Sequence, residues 1–442
     1  MALVHSIARE IAALRLAAVP ADALAHVKSS LLYTACMTVA GYEDADPTAL
    51  AARTVAGGEG AASLFVNGAR RRASDAAFAN GAVSCSRGQN DTHPQAIGHA
   101  GCIVVPAVLA VAQERGSSGE QILEALTVGY ELLPKLAGDV AELAVARGLR
   151  ATSVFGPVIA AGAVAKLIGL DEARIAHALA LGTQFSAGTM QCWTEGTPEW
   201  RLQVGHSAQA GVQAALLAEA GAVAAAESFE GKAGWYAAFF GRVPELHWGD
   251  WALKDTVFKP YPGCMINQAA IYMLRRMMDA NGFAGADVES VVVGMNPREA
   301  RYPGIDQHGP YTQATGAVMS LAFMVATMLR DGTVTAAHFR ERYGEHPVHA
   351  EGRKVRLVER DDLAPWACDL RVTLKDGRAF DDVFRDQSSF ALGWDDTRRL
   401  LQALTGEWPL PDAASRFERL AECVKTFERE GSADALLALC TR

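Results

Sequence analysis

The stretch Arg87–Cys102, RGQNDTHPQAIGHAGC, gathers Arg87, Asn90, Asp91, Thr92, His93 and His99 just ahead of the apolar run IVVPAVLAVA. Histidine titrates near neutrality, so His99, between Gly98 and Ala100, is a candidate to take or give a proton. The chemistry that suits it is abstraction of a proton α to a carboxylate or carbonyl. Asp91, Thr92 and His93 are contiguous, as in an Asx or capping turn. As a site, they would have Asp91 orienting His93 or His99 and Thr92 donating a hydrogen bond to substrate; as a loop, they would satisfy one another.

An acid substrate needs cations, and four stand out. Arg150 immediately precedes SVFGPVIAAGAVAKLIGL, a run that reads as a helix whose N-terminus also favours an anion. Arg201 lies between Trp200 and Leu202, an apolar setting in which its charge requires Glu195, Glu199 or a substrate carboxylate. Lys259 is held by the rigid FKPYPG turn. Arg87 is a further candidate for a carboxylate, which arginine fits with two parallel hydrogen bonds. His206, in VGHSAQAG, is either a core donor or an auxiliary proton carrier. The eleven histidines show no HxH or HExxH spacing, and no metal site is expected.

The elements that must position these groups are mostly helices. Ile7–Val39 reads as two helices broken near Pro20, with Gly41 as the stop. Ser74–Val83 is helical up to Asn80 and Gly81, and Val104–Gln113 is helical with Pro106 in its first turn. Ser118 and Gln121 have capping-box spacing, Asp171 is placed to cap a helix to Gly182, and His206–Ala220 is another helix. The reading to about Trp251 is all-helical. Past Phe258 the texture changes: Gln268–Met278 is a helix, VESVVVGM, KVRLVER and DLRVTLKDGRAF are strands, and KDG is a hairpin turn. Tyr311–Leu329 reads as one helix, and Ala413–Leu439 returns as helix to the first part. The expected fold is therefore mainly α. A large helical domain, 1–257 completed by 405–442, is joined to a smaller α+β lid domain, 258–404.

Bulk properties narrow the function. At 442 residues with half hydrophobic and 21% charged, the composition is globular. A net charge of −9 offers no nucleic-acid surface, and the RRR at Arg70–Arg72 lacks interleaved aromatics. No segment has the unbroken apolar length of a membrane span. Eight cysteines without a CxxC pair, and an N-terminus carrying His5, Arg9 and Glu10 with no cleavage site, predict reduced thiols and a cytoplasmic protein.

The order of motifs resembles the MmgE/PrpD family. The residues that carry it are ANGAV at Ala79–Val83, the Asn90–Gln113 stretch, TVGYEL at Thr127–Leu132 and Gly162–Gly188. KPYPGC at Lys259–Cys264 and SLAFMVATMLRDG at Ser320–Gly332 complete it. The resemblance implies the helical body and lid, a cleft between them, a homodimer, and dehydratase, decarboxylase or epimerase chemistry on small di- or tricarboxylates. It implies neither a metal nor an organic cofactor. It also implies that Asp91, Thr92, His93 and His99 are retained, while other family positions change. The early functional aspartate falls on Gly88, a histidine on Arg150, a lysine on Trp200 beside Arg201, an arginine on Met265, a histidine on Gln268 and a tyrosine on Phe323. Trp200 and Gln268 thus join the substrate-binding candidates, and Tyr311 is an auxiliary candidate for the acid that Phe323 cannot supply.

Three readings follow. The first is a metal-independent lyase or hydratase in which His99 moves the α proton and Arg150, Arg201 and Lys259 hold carboxylates. An epimerase would use the same abstraction with a second acid–base group, His93 or His206. A repurposed binding scaffold would explain the lost proton-handling side chains. Trp200, Met265 and Phe323 fit a substrate less polar than citrate-like acids.

Overall fold

The apolar spacing on either side of Pro20 becomes two helices, Leu3–Ala13 and Ala21–Ala40, in the computed structural model, which describes residues 2–42, 47–385 and 387–442. Gly41 closes the second. Ser118 and Gln121 form the expected reciprocal cap of Gly119–Ala137, and the Asp171 carboxylate accepts from Arg174 N at the start of Glu172–Thr183.

The centre is built from helices with small or apolar faces on every side. Gly101–Arg115 is buried from Gly101 through Gln113, as a helix without a polar face must be. Trp200–Glu219 packs against both Ala73–Ser84 and Ala151–Leu167. Their axes approach closely because Gly211 meets Ala160, where an added Cβ would stand 2.2 Å from the alanine methyl.

Several helix limits differ from the sequence reading. Ala73–Ser84 runs through Asn80 and Gly81, because the Asn80 side chain reaches sideways to Phe65 N and Ser63 O instead of ending the helix. Gly101–Arg115 starts earlier than expected, so Pro106 falls in the second turn. The Cys102 carbonyl that Pro106 leaves without a helical donor accepts from the Ser84 hydroxyl at 3.1 Å. The stretch before Trp251 is not entirely helical: β1 (Ala62–Ser63) and β2 (Arg70–Arg71) form a short antiparallel pair. Tyr311–Leu329 is two helices, Ala314–Met319 and Leu321–Asp331, broken at Ser320, whose extended backbone lets its hydroxyl cap Phe323 N.

The second part holds a four-stranded mixed sheet in the order β4 (Val355–Glu359), β3 (Val288–Met295), β5 (Cys368–Leu374), β6 (Ala379–Phe384). β3 pairs in parallel with β4, Val291 opposite Val355, and antiparallel with β5, Val291 opposite Val372. In β5 the residues Cys368, Leu370, Val372 and Leu374 point inward in period-two alternation. Gln268–Asn281 lies against β5 and β6, and Leu321–Asp331 against β4. The C-terminal helices Ala413–Lys425, Phe427–Glu430 and Ala433–Leu439 return to the first part, where Val66 N donates to Cys440 O and Arg442 N to Val66 O. None of the helices among the described residues is long and apolar enough to cross a membrane.

Candidate active site

The loop between Ala73–Ser84 and Gly101–Arg115 is tied down at both ends. Asp91 accepts from Gly101 N at 3.2 Å and from the Tyr130 hydroxyl at 2.6 Å. That carboxylate lies against the helix start only because position 101 is glycine, where a Cβ would sit 2.5 Å from Asp91 Oδ2. Burial pushes the Asp91 carboxyl up to about 6, against the Tyr130 and Gly101 hydrogen bonds, which favour the anion. Thr92 exchanges backbone hydrogen bonds with Val257, which joins the loop to the strand-like segment leading into Lys259.

This scaffold aims His99. Its Nδ1 lies 2.7 Å from the Asp91 backbone carbonyl and 3.1 Å from Thr92 Oγ1. A carbonyl only accepts, so Nδ1 carries the hydrogen and Nε2 carries the lone pair. The imidazole pKa is held well below its usual value, first by burial and then by the Lys259 and Arg150 charges. His99 is therefore neutral at pH 7 and able to act as a base.

His99 lines a cavity of about 360 Å³ together with Thr92, Arg150, Trp200 and Lys259. Arg150 occupies the N-cap position of the Ala151–Leu167 helix without a side-chain capping bond. Its guanidinium donates to Trp200 O at 2.8 Å and lies over the Trp193 and Trp200 rings, 5.4 and 5.5 Å from their centroids. Lys259 Nζ donates to Gly88 O at 2.7 Å and Gly263 O at 3.2 Å. Burial lowers its pKa to about 8, against the Cys264, Cys102 and Asp91 groups that favour the cation. Among the described residues neither cation has a carboxylate partner: Lys259 meets two carbonyls, and Arg150 one carbonyl and two indole rings. An anionic ligand would offset the desolvation of a buried cation so placed.

Other expected site residues lie elsewhere. His93 uses Nε2 on Ala252 O at 2.9 Å and Nδ1 on Ala96 N at 3.4 Å, so it braces the loop and does not line the cavity that holds His99. The Asp91 side chain points to the helix start, and only its carbonyl serves His99. Arg87 is buried in an ion pair with Glu407 at 2.8 Å and meets Gln89 Oε1 at 3.3 Å. Arg201 donates to Ser86 O and Pro198 O, with its guanidinium 4.3 Å from the Trp200 ring centroid. Arg87 and Arg201 share a separate cavity of about 270 Å³. Gln268 is fully buried, accepting from Tyr261 N and donating to Cys264 O, so it shapes the turn. His206 is exposed on its helix. The Tyr311 hydroxyl donates to Gln307 O, and its ring packs on Phe323 and His349, outside the main cavity.

Several lining residues carry no periodic or motif signal in the sequence. Arg298 and Glu299 follow β3, where the Asn296 side chain caps a short helix. Arg298 pairs with both Glu299 and Glu142 and lies 5.3 Å from the centroid of the Trp366 ring. Tyr302 lines the same cavity, and burial pushes its hydroxyl above the ordinary tyrosine range, so it is a protonated donor at neutral pH.

The MmgE/PrpD N-terminal domain matches residues 5–246 and the MmgE/PrpD C-terminal domain matches residues 261–424. The chain belongs to the MmgE/PrpD family. It is similar to cis-aconitate decarboxylase of Homo sapiens, 26% identical over 77% of each chain. It is also similar to the cis-aconitate decarboxylase-like protein oryM of Aspergillus oryzae, 26% identical over 95% of this chain and 93% of that one. Of the six MmgE/PrpD positions read as changed here, Gly88, Arg150, Trp200 and Met265 line the cavity, whereas Gln268 and Phe323 do not. Four of the six changes therefore fall on the cavity wall.

Proposed function

We propose that this protein is a lyase that removes a proton α to a carboxylate or carbonyl of a small carboxylic acid. The observation that carries this reading is the neutral His99, with Nδ1 committed to a carbonyl, in a cavity with two buried cations that lack carboxylate partners. Nε2 takes the proton. Arg150 and Lys259 hold the carboxylate and stabilise the negative charge that develops on the enolate-like intermediate. Tyr302 donates a proton to the departing or rearranging end. The Asp91 carbonyl and Thr92 are positioning groups that set the His99 tautomer. The reading includes the 1–257 plus 405–442 body, the 258–404 lid, a cytoplasmic homodimer, and no metal or organic cofactor.

A specific observation favours a second reading. Lys259, with its pKa brought down to about 8, lines the same cavity as His99. Two acid–base groups in one cavity suit an epimerase, which returns the proton to the opposite face.

The test is incubation with a panel of small acids in D2O, followed by proton NMR and ultraviolet absorbance. A new conjugated double bond identifies the lyase; deuterium at the α carbon without net product identifies the epimerase. His99→Gln is expected to lower either rate at least about 100-fold while a carboxylate still raises the melting temperature. Full activity in His99→Gln would remove the mechanism.

A further inference from the structure

The cavity has charges of two kinds, and they are sorted. Three cations line it: Arg150, Lys259 and Arg298. Two carboxylates line it, Glu142 and Glu299, and both are bonded to Arg298. Arg298 is therefore spent, and the two carboxylates beside it repel a further anion. Among the described lining residues Arg150 and Lys259 are left to receive one, and His99 lies within the field of both. Much of the remaining wall is apolar: Trp193, Trp200, Met265, Met319 and Trp366 line the same space.

We infer that the substrate carries at most two carboxylates, gathered at the Arg150–Lys259–His99 end, and an alkyl or aryl arm that lies against the tryptophan and methionine wall. This rests on the carboxylate site of the proposed function and adds the shape of what fills it. A third carboxylate has no cation to meet. It would lose its hydration against indole and thioether surface or face the Glu142 and Glu299 anions. An apolar arm, by contrast, removes its own surface and that of the wall from water together. Specificity then comes from what the wall rejects as much as from what it accepts.

The test is calorimetric titration of the full chain at pH 7 with three unreactive acids: succinate, benzylsuccinate and tricarballylate. Benzylsuccinate is expected to bind about tenfold tighter than succinate, the factor that burying one aryl arm supplies at its low end. Tricarballylate is expected to bind more weakly than succinate. Benzylsuccinate less than about fivefold tighter than succinate, or tricarballylate matching benzylsuccinate, overturns the inference and leaves the carboxylate site standing. Failure of all three acids to bind a chain that still melts cooperatively overturns the proposed function and the inference with it.

Discussion

Lys259 shows what burying a cation does to a protein. A pKa brought from 10.5 to about 8 by burial means that carrying the charge at neutral pH costs the fold on the order of 3 kcal/mol. A carboxylate bound in the cavity, as proposed, would offset that cost. The pH dependence follows from the signs. His99 must be neutral to act, and its pKa lies well below 6.5, so kcat/KM is expected to hold steady down through pH 6.5 and to fall only below it. Lys259 must be charged to hold the acid, so kcat/KM is expected to fall as pH rises through about 8. Lys259→Arg, which stays protonated, should move that alkaline limb upward by at least about 1 pH unit. A pH–rate series on both proteins checks this; an unchanged alkaline limb would assign it to another group.

At the scale of elements, the helical body depends on small residues and on carbonyls rescued by neighbours. Pro106 and Pro157 each remove a helical donor inside a buried helix, and a serine hydroxyl from a packed helix lies near each carbonyl concerned. Ser84 shares its hydroxyl between Gly81 O at 2.9 Å and Cys102 O at 3.1 Å, and the Ser207 hydroxyl, 2.8 Å from Gln203 O, lies 3.4 Å from Ser153 O. The packed helix thus supplies a polar neighbour at each gap in the ladder. Where Trp200–Glu219 crosses Ala151–Leu167 there is no spare volume. Gly211→Ala would press a methyl onto Ala160 and the backbone at Ala161, and is expected to destabilise by about 1–3 kcal/mol. Urea denaturation measures this. Because the same helix begins with Trp200, the variant should also weaken carboxylate binding.

At the scale of the molecule, the cavity is assembled from distant parts of the chain. The loop at 88–99, the helix starts at Glu142 and Arg150, the Lys259–Ile266 turn and the Arg298–Tyr302 segment all contribute to it. Arg298 links the Ala141–Ala146 helix to the segment after β3 through Glu142 and Glu299. Glu299 is buried, and burial raises its pKa against the lowering effect of Arg298. Arg298→Met is therefore expected to destabilise by about 2–4 kcal/mol, because it strands a buried carboxylate. Adding Glu299→Gln should recover at least about 1 kcal/mol of that loss. A double-mutant cycle on unfolding free energies measures the coupling, and additivity would show that the pair is not coupled.

Much of this protein was legible before its structure. Helix caps at Ser118 and Asp171, the strand at Val288–Met295 and the hairpin through KDG are local, and short-range hydrogen bonding and periodicity encode them. His99, Arg150 and Lys259 stood out by their types and neighbours, and they meet in one cavity. The sorting of the remaining candidates was decided by tertiary structure. His93 and Gln268 have the right chemistry, but nearby backbone groups consume their hydrogen bonds; Arg87 is neutralised by a glutamate 320 residues away in the chain. Tyr302, Glu299 and Trp366 join the cavity from segments with no telling pattern. A residue's chemistry is written in its side chain, but whether that chemistry is left for a ligand depends on which partners the fold brings within hydrogen-bonding reach, and those partners are remote in sequence.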